Sequence, residues 1–359
     1  ADGAIYDDKL YAICADLTGS LGGGRISIFD FITNTWEVES NEINLVQSRS
    51  DYTSTLVNGQ FYTYGGQNSG SAVNASTNSL TEFNPTNNNV NTIVSGGIAR
   101  RSHTAVGYEN KLYIHGGILD EGFSTTNTMD IFDTITNQWT TGSPSPSNRY
   151  GHDSVLYNGK IYLFGGRSQV GANDVFLNVE VYDISTNSWS TISNTLVFQT
   201  YGTATLIDGL IYLIGGEDDF GQVVDVFIFD PESSQFLESD LITLPAVSSR
   251  KDHLAAAYNG RIYVFGPPSD SFQRYTPKNS KKTLVSFNRK SAEILEGNWD
   301  LSVSVRLTTT SDQNVSVDYV LSDDSSASSA DFNLTTGTLN FSAGQQSQSI
   351  LYSIIDDLD

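Results

Sequence analysis

Ile161-Tyr-Leu-Phe-Gly-Gly166 returns along the chain as Phe61-Tyr-Thr-Tyr-Gly-Gly66, Leu112-Tyr-Ile-His-Gly-Gly117 and Ile211-Tyr-Leu-Ile-Gly-Gly216. The first glycines, Gly65, Gly116, Gly165 and Gly215, are spaced 51, 49 and 50 residues apart. Decayed copies, Leu10-Tyr-Ala-Ile-Cys-Ala15 and Ile262-Tyr-Val-Phe-Gly-Pro267, lie a further 51 residues out at either end. A period near fifty marks an array in which each unit is one small sheet stacked on the next.

Within a unit the alternation is that of strands. Around Asn158-Gly159 the apolar stretch 154–157 turns back into 160–164, because Asn-Gly favours a tight hairpin turn. The same turn is expected at Asn58-Gly59, Asp208-Gly209 and Asn259-Gly260. After the glycine pair and a polar loop comes a third strand, 179–183, with counterparts at 28–30, 129–133 and 226–230. A fourth carries Trp189, matched by Trp36 and Trp139 and, in weaker copies, by Val90 and Phe236. Four strands per unit with aromatics at fixed offsets describe a propeller blade.

The motifs resemble the kelch repeat: paired glycines after an Ile-Tyr strand, then Tyr-Asp or Phe-Asp, then Trp, with Arg and His ahead of the first strand. The resemblance covers residues 1–277 and implies an all-β, six-bladed kelch β-propeller, one blade per glycine-pair position. The last blade shows no Trp-bearing fourth strand and Ala1 already opens the first blade, so spacing alone leaves closure unexplained.

After Pro277 the repeat stops, and 278–282 reads as a basic linker. From 283 to 359 the pattern is an immunoglobulin-like sandwich, with alternation over 284–287, 301–307, 315–320 and 349–355. It resembles a Calx-β domain in Glu296-Gly297, Ser329-Ala-Asp-Phe332, Gly337-Thr-Leu-Asn-Phe341, Gly344 and Ile354-Ile-Asp-Asp-Leu-Asp359. The family pattern continues beyond those aspartates with two more strands. The expectation is therefore an incomplete sandwich: a fragment of a longer protein, or a domain completed by a neighbouring subunit.

Charge and composition narrow the function. Nineteen Lys and Arg against 41 Asp and Glu give a net charge of −22. That excess repels nucleic-acid phosphates and anionic lipid, and no apolar run approaches membrane-span length. Cys14 is the sole cysteine, which excludes an intrachain disulfide and a thiolate cluster. The sequons at Asn74, Asn314 and Asn333 matter only in a eukaryotic secretory setting.

Three groups of residues are candidates for chemistry. By resemblance to the Calx-β family, Glu296, Asp331, Asp356, Asp357 and Asp359 would ligate Ca²⁺, whose six to eight oxygens carboxylates from separate loops supply; a solvated acidic tail is the plain alternative. Arg49, Arg100, Arg149 and Arg250, with Phe198 breaking the set, share one repeat position, so a ring of arginines is expected at one end of the channel. There it would dock an anion or a carboxylate-bearing glycan, or else bond between blades. Tyr52, His103, His152, Tyr201 and His253 fall at another shared position, which suits a hydrogen-bonding role better than metal coordination; His115 reads as a core variant.

Because antiparallel strands alternate direction, the arginine position shares a face with the long segments 67–79, 118–128, 167–178 and 217–225. Long loops on a rigid scaffold are where binding concentrates. The leading expectation is a non-catalytic extracellular or cell-surface adhesion module, its propeller recognising a glycan or protein and its Calx-β part acting as a calcium-stiffened stalk. A related version is a surface-filament subunit completed by strand donation. The rival is an enzyme, since some kelch propellers are copper-radical oxidases or sugar-acid mutarotases. Cys14 in a degenerate glycine slot speaks against the oxidase, whereas a mutarotase would need Glu217 or Asp219 turned inward beside the arginines.

Overall fold

The computed structural model describes residues 2–14, 25–37, 49–68, 75–93, 96–119, 123–171, 174–193, 200–217, 226–237, 252–266 and 272–276 of one unit, and 277, 285–287, 299–307, 314–319, 333–334, 336–345 and 347–354 of a second. The units divide as Ala1–Thr276 and Pro277–Asp359.

The first unit is a six-bladed propeller. Blade 1 is Asp2–Tyr6, Lys9–Cys14, Arg25–Asp30 and Thr35–Glu37; blade 2 is Thr53–Val57, Gln60–Tyr64, Leu80–Asn84 and Asn89–Ile93. Blade 3 is Thr104–Tyr108, Lys111–His115, Met129–Asp133 and Gln138–Gly142; blade 4 is Asp153–Tyr157, Lys160–Phe164, Val179–Asp183 and Ser188–Ile192. Blade 5 is Thr203–Ile207, Leu210–Ile214, Val226–Asp230 and Gln235–Leu237, and blade 6 is Leu254–Tyr258, Arg261–Phe265 and Gln273–Tyr275. Each blade is an antiparallel meander in chain order, and the first strands pack side by side around the axis.

Local chemistry sets the meander. Asn58 and Gly59 adopt φ of 51° and 73°, as do the pairs at 158, 208 and 259 within a few degrees, so the expected hairpin turns form. The fourth-strand aromatics stand opposite third-strand aromatics: Trp139 faces Phe132 and Trp189 faces Tyr182, each at 5.0 Å between ring centroids. Such cross-strand pairs hold the thin outer edge of a blade. The glycine pair serves both φ and space. A Cβ on Gly65 would lie 2.6 Å from the Arg100 carbonyl oxygen and 2.7 Å from the His103 ring of the next blade.

Closure, left open by spacing, comes from packing. The first strand of blade 6 lies beside that of blade 1, and Leu10, Ala12 and Phe29 share a core with Leu254, Ala256 and Phe265. Phe31 stacks on Tyr258 at 4.0 Å, and the Tyr258 hydroxyl donates to Asp8. Each buried aromatic contributes roughly 1.5–3 kcal/mol, so this seam holds without a strand borrowed from the other terminus.

In the second unit Val285–Phe287, Trp299–Leu307 and Ser347–Ile354 form one sheet, and Val315–Tyr319 pairs with Gly337–Phe341. Val305, Leu307 and Ile350 from the first pack against Phe341 from the second, the arrangement of a β-sandwich.

Candidate functional site

The arginines of the expected ring are not brought together. Arg49, Arg100 and Arg149 are 5%, 0% and 0% exposed, each folded into its own blade. Their Nη1 atoms donate to the carbonyl oxygens of Gly65, Gly116 and Gly165 at 2.9 Å, and more weakly to Ser79, Thr128 and Asn178 at the start of the third strand. Each guanidinium thus clips the second strand of its blade to the third. Arg100 pairs with Asp130 at 2.7 Å and Arg149 with Glu180 at 3.2 Å; Phe176 covers the Arg149 plane at 4.1 Å. Burial lowers the pKa of both arginines, and the partner carboxylates oppose that shift. Arg250 lies outside the described residues.

The histidines staple neighbouring blades. Nε2 of His103 meets the Thr53 hydroxyl at 3.0 Å, His152 meets Thr104 at 3.3 Å and His253 meets Thr203 at 2.6 Å. His115 is 1% exposed, with Nδ1 2.9 Å from His152 Nε2 and Nε2 2.8 Å from Ser145 Oγ. Because Ser145 donates to the Ser147 carbonyl, His115 donates from Nε2 and accepts at Nδ1 from His152. Desolvation depresses His103, His115 and His152, the last to about 3, so these three rings stay neutral at physiological pH. Among the described residues no cluster of three or more His, Cys, Asp or Glu side chains is placed to hold a metal.

One assignment to that histidine position is corrected. Tyr201 has φ of 56°, like Asp51, Ser102, Gly151 and Asp252 at 56°, 50°, 61° and 56°. It therefore occupies the residue before the histidine, and Gly202 stands where His103 and His152 do. By the same count along the chain, the arginine position of blade 5 falls on Gln199, not Phe198, both outside the described residues.

Where the next blade lacks a histidine, the threonine is replaced as well. Asp2 and Asp153 take that slot, and Asp2 accepts from the backbone N–H of Ser54 at 2.6 Å while Asp153 accepts from that of Ala204. Burial raises Asp2 to about 6 and Asp153 to about 7, and the Asp2 charge adds to the rise at Asp153. Blades 1 and 4 are opposite one another in a ring of six, so the two carboxyls sense each other across the channel.

The left-handed residues build the mouth. Ser102 N–H donates to Asp51 O, Gly151 to Ser102, Tyr201 to Gly151 and Asp252 to Tyr201, at 2.7–3.0 Å, a backbone chain passing from blade 2 to blade 6. Tyr201 extends from this chain across the opening. Its ring lies against Gly151, 6.3 Å from the Tyr150 ring, and its phenol is pushed well up by burial, then by Tyr150 and Asp51. Asp51 and Asp252 are solvent-exposed beside it.

Directly after the buried arginines, Arg101, Tyr150 and Thr200 pair through their backbones with Ile118, Arg167 and Glu217 of the second-to-third-strand loops, and all but Glu217 are themselves buried. The loops are stitched together, Ser76 donating to the Ile118 carbonyl and accepting from Arg101, and Thr125 donating to the Ser168 carbonyl. Of the two acid-base candidates, Glu217 is at the mouth and Asp219 lies outside the described residues. So do Glu296, Asp331, Asp356, Asp357 and Asp359. Tyr150, Tyr201, Arg101 and Arg167 were missed because no motif marks them; the only signal was their place one residue from the arginine or beyond the glycine pair.

With this geometry the comparisons agree. The KLHDC2/KLHL20/DRC7 Kelch-repeats domain matches residues 22–144 and 102–276. The chain belongs to the kelch-repeat family. The Calx-beta domain matches residues 278–358, so a kelch propeller precedes a Calx-β unit. The kelch propeller is similar to a solved structure described as "Structure of YjhT", at 16% identity and a TM-score of 0.62, covering 77% of this chain and 92% of that one. At that identity the likeness shows the fold. No curated protein matches this kelch chain.

Proposed function

We propose that this is a binding and adhesion module working outside the cell or at its surface, in which the propeller mouth recognises a glycan or protein ligand. The Calx-β unit is its stalk, stiffened by Ca²⁺ held through Glu296, Asp331, Asp356, Asp357 and Asp359. One observation carries the reading. Among the described non-glycine residues with positive φ, Phe123 and Tyr201 are the only aromatics, at 58° and 56°, and both stand on the mouth face. Left-handed backbone at a bulky residue costs on the order of 1–3 kcal/mol and clusters where a ligand is held. Arg49, Arg100 and Arg149, which a carboxylate-bearing ligand would need, are occupied within the blades, which moves recognition to Tyr201 and its polar neighbours.

The test is a combined glycan and peptide array probed with the full chain and with Tyr201→Asn. Asparagine tolerates the same backbone, so the variant keeps the fold. The reading expects binding that Tyr201→Asn reduces at least tenfold; ligand capture indifferent to that change would overturn it. A second reading, a sugar-acid mutarotase, rests on Glu217 at the mouth beside Tyr150 and Arg167. Faster interconversion of a sugar-acid's anomers, abolished by Glu217→Gln, would favour it.

A further inference from the structure

The mouth face bears an apolar rim in its blade 3 and blade 4 sector. Ile98, Phe123, Val170 and Leu177 are 40%, 45%, 41% and 40% exposed, whereas on the propeller's other face Ile32 and Ile135 sit singly in turns of separate blades. The rim is held firm. Arg101 lies 5.4 Å from the Phe123 ring and donates to Ser76, and Thr125 ties the blade 3 loop to the Ser168 carbonyl of blade 4. Exposed apolar and aromatic side chains on an ordered rim, around a polar centre containing Tyr and Arg, have the anatomy of a protein interface.

Charge selects the occupant. In sequence, segments 67–79, 118–128, 167–178 and 217–225 carry seven acidic residues and a single arginine, Arg167; among the described residues these are Asp174, Glu217 and Arg167, with Arg101 held beneath Phe123. At the mouth Asp51 and Asp252 are exposed on either side of Tyr201. On the opposite face the acids are used by the turns themselves: Asp133 accepts from the backbone N–H groups of Ile135 and Thr136, and Asp183 from those of Ser185 and Thr186. An anionic partner would meet repulsion at this rim. A cationic side chain reaching in would meet carboxylates and the half-buried Tyr201 ring.

Resting on the binding reading above, we propose that the mouth docks a basic polypeptide, with apolar side chains on the Ile98, Phe123, Val170 and Leu177 rim and a lysine or arginine directed at Tyr201 between Asp51 and Asp252. The test uses three labelled octapeptides, alternating Lys-Phe, Ser-Phe and Glu-Phe, titrated by fluorescence anisotropy onto the full chain at low and moderate salt. The Lys-Phe peptide is expected to bind at least tenfold more tightly than the other two. Phe123→Asn, which keeps the left-handed backbone, and Asp51→Asn with Asp252→Asn should each weaken it about tenfold. Glu109→Gln on the opposite face should not. Equal weakening by Glu109→Gln, or no weakening by Phe123→Asn, would reduce the effect to diffuse attraction by a chain of net charge −22 and overturn the proposal. Preferential binding of Ser-Phe, Glu-Phe or an array glycan that still requires Tyr201 would overturn the basic partner while leaving the binding face standing; indifference of every ligand to Tyr201→Asn would remove both.

Discussion

Blades 4 and 5 have the same backbone and different interiors. Blade 4 buries Arg149 against Glu180, sends His152 to Thr104 of the preceding blade and reaches the next with Asp153. At the same positions blade 5 has Gln199, Phe227, Gly202 and Thr203, the last bonded to His253. The repeat therefore prescribes sites, not chemistry. An acid accompanies the arginine in blades 3 and 4, whereas blade 2 keeps buried Arg49 on backbone carbonyls with Thr81 at the acid position. Threonine goes with the following histidine, and where that histidine is absent the slot holds Asp2, Asp153 or Leu254. Removing one member of an existing buried pair leaves its partner charge uncompensated, which is the costly change.

The sharpest break of this comparison is within the ion pair. Replacing Glu180 by Phe alone strands a fully buried guanidinium and should cost about 3–5 kcal/mol, read as a lowered urea midpoint. Adding Arg149→Gln reproduces the blade 5 pair and should recover more than half of the loss. A double variant as unstable as the sum of its singles would show that the two positions are independent.

Next in size is pH. Asp153 at about 7 and Asp2 at about 6 hold protons more tightly in the folded than in the unfolded chain. Their stabilisation is therefore greatest under acid conditions and is lost as pH rises between about 4 and 7, by on the order of 3 kcal/mol for each carboxyl. Urea midpoints at pH 5 and pH 8 should differ accordingly, and Asp153→Asn should flatten the slope by about half. The His103–Thr53 and His152–Thr104 junctions should add nothing in this window, because burial keeps both rings neutral.

A smaller effect tests the staple. Thr203→Val removes the hydroxyl that meets His253 Nε2 and should lower stability by about 1–2 kcal/mol, seen as a Tm shift. Smallest of all, Tyr201→Asn should change stability by less than about 1 kcal/mol, since relief of the left-handed strain offsets lost ring contacts. If it destabilised as strongly as Glu180→Phe, Tyr201 would be a structural plug and not a recognition residue.

Much of this was legible before any coordinates. Gly65-Gly66 and its copies, Asn158-Gly159 and Trp189 follow from local rules of turns and strands, so blade boundaries fell where spacing put them. The arginine position was legible as a repeat position, yet its direction was not: side chains in extended backbone alternate, so Arg100 turns into its own blade to Gly116 while the neighbouring Arg101 turns to Ser76 and Phe123 of the loops. Tyr201 was misaligned for a related reason. Matching it to His103 by residue type shifted the count by one, and only its φ of 56° restored it to the row of Asp51, Ser102 and Asp252.

Period, turn chemistry and glycine spacing, all short-range properties of the chain, determined a propeller of six sheets, and the likeness of its motifs and of Gly337-Thr-Leu-Asn-Phe341 and its neighbours to known families supplied the kelch and Calx-β assignments. Contacts between residues from about fifty to more than two hundred apart decided the rest: Thr53 against His103, Asp2 sensing Asp153, Tyr258 closing on Phe31, and Tyr201 laid against Gly151. Such partners are neighbours only after the ring has closed, because the direction of each side chain depends on where adjacent sheets come to rest.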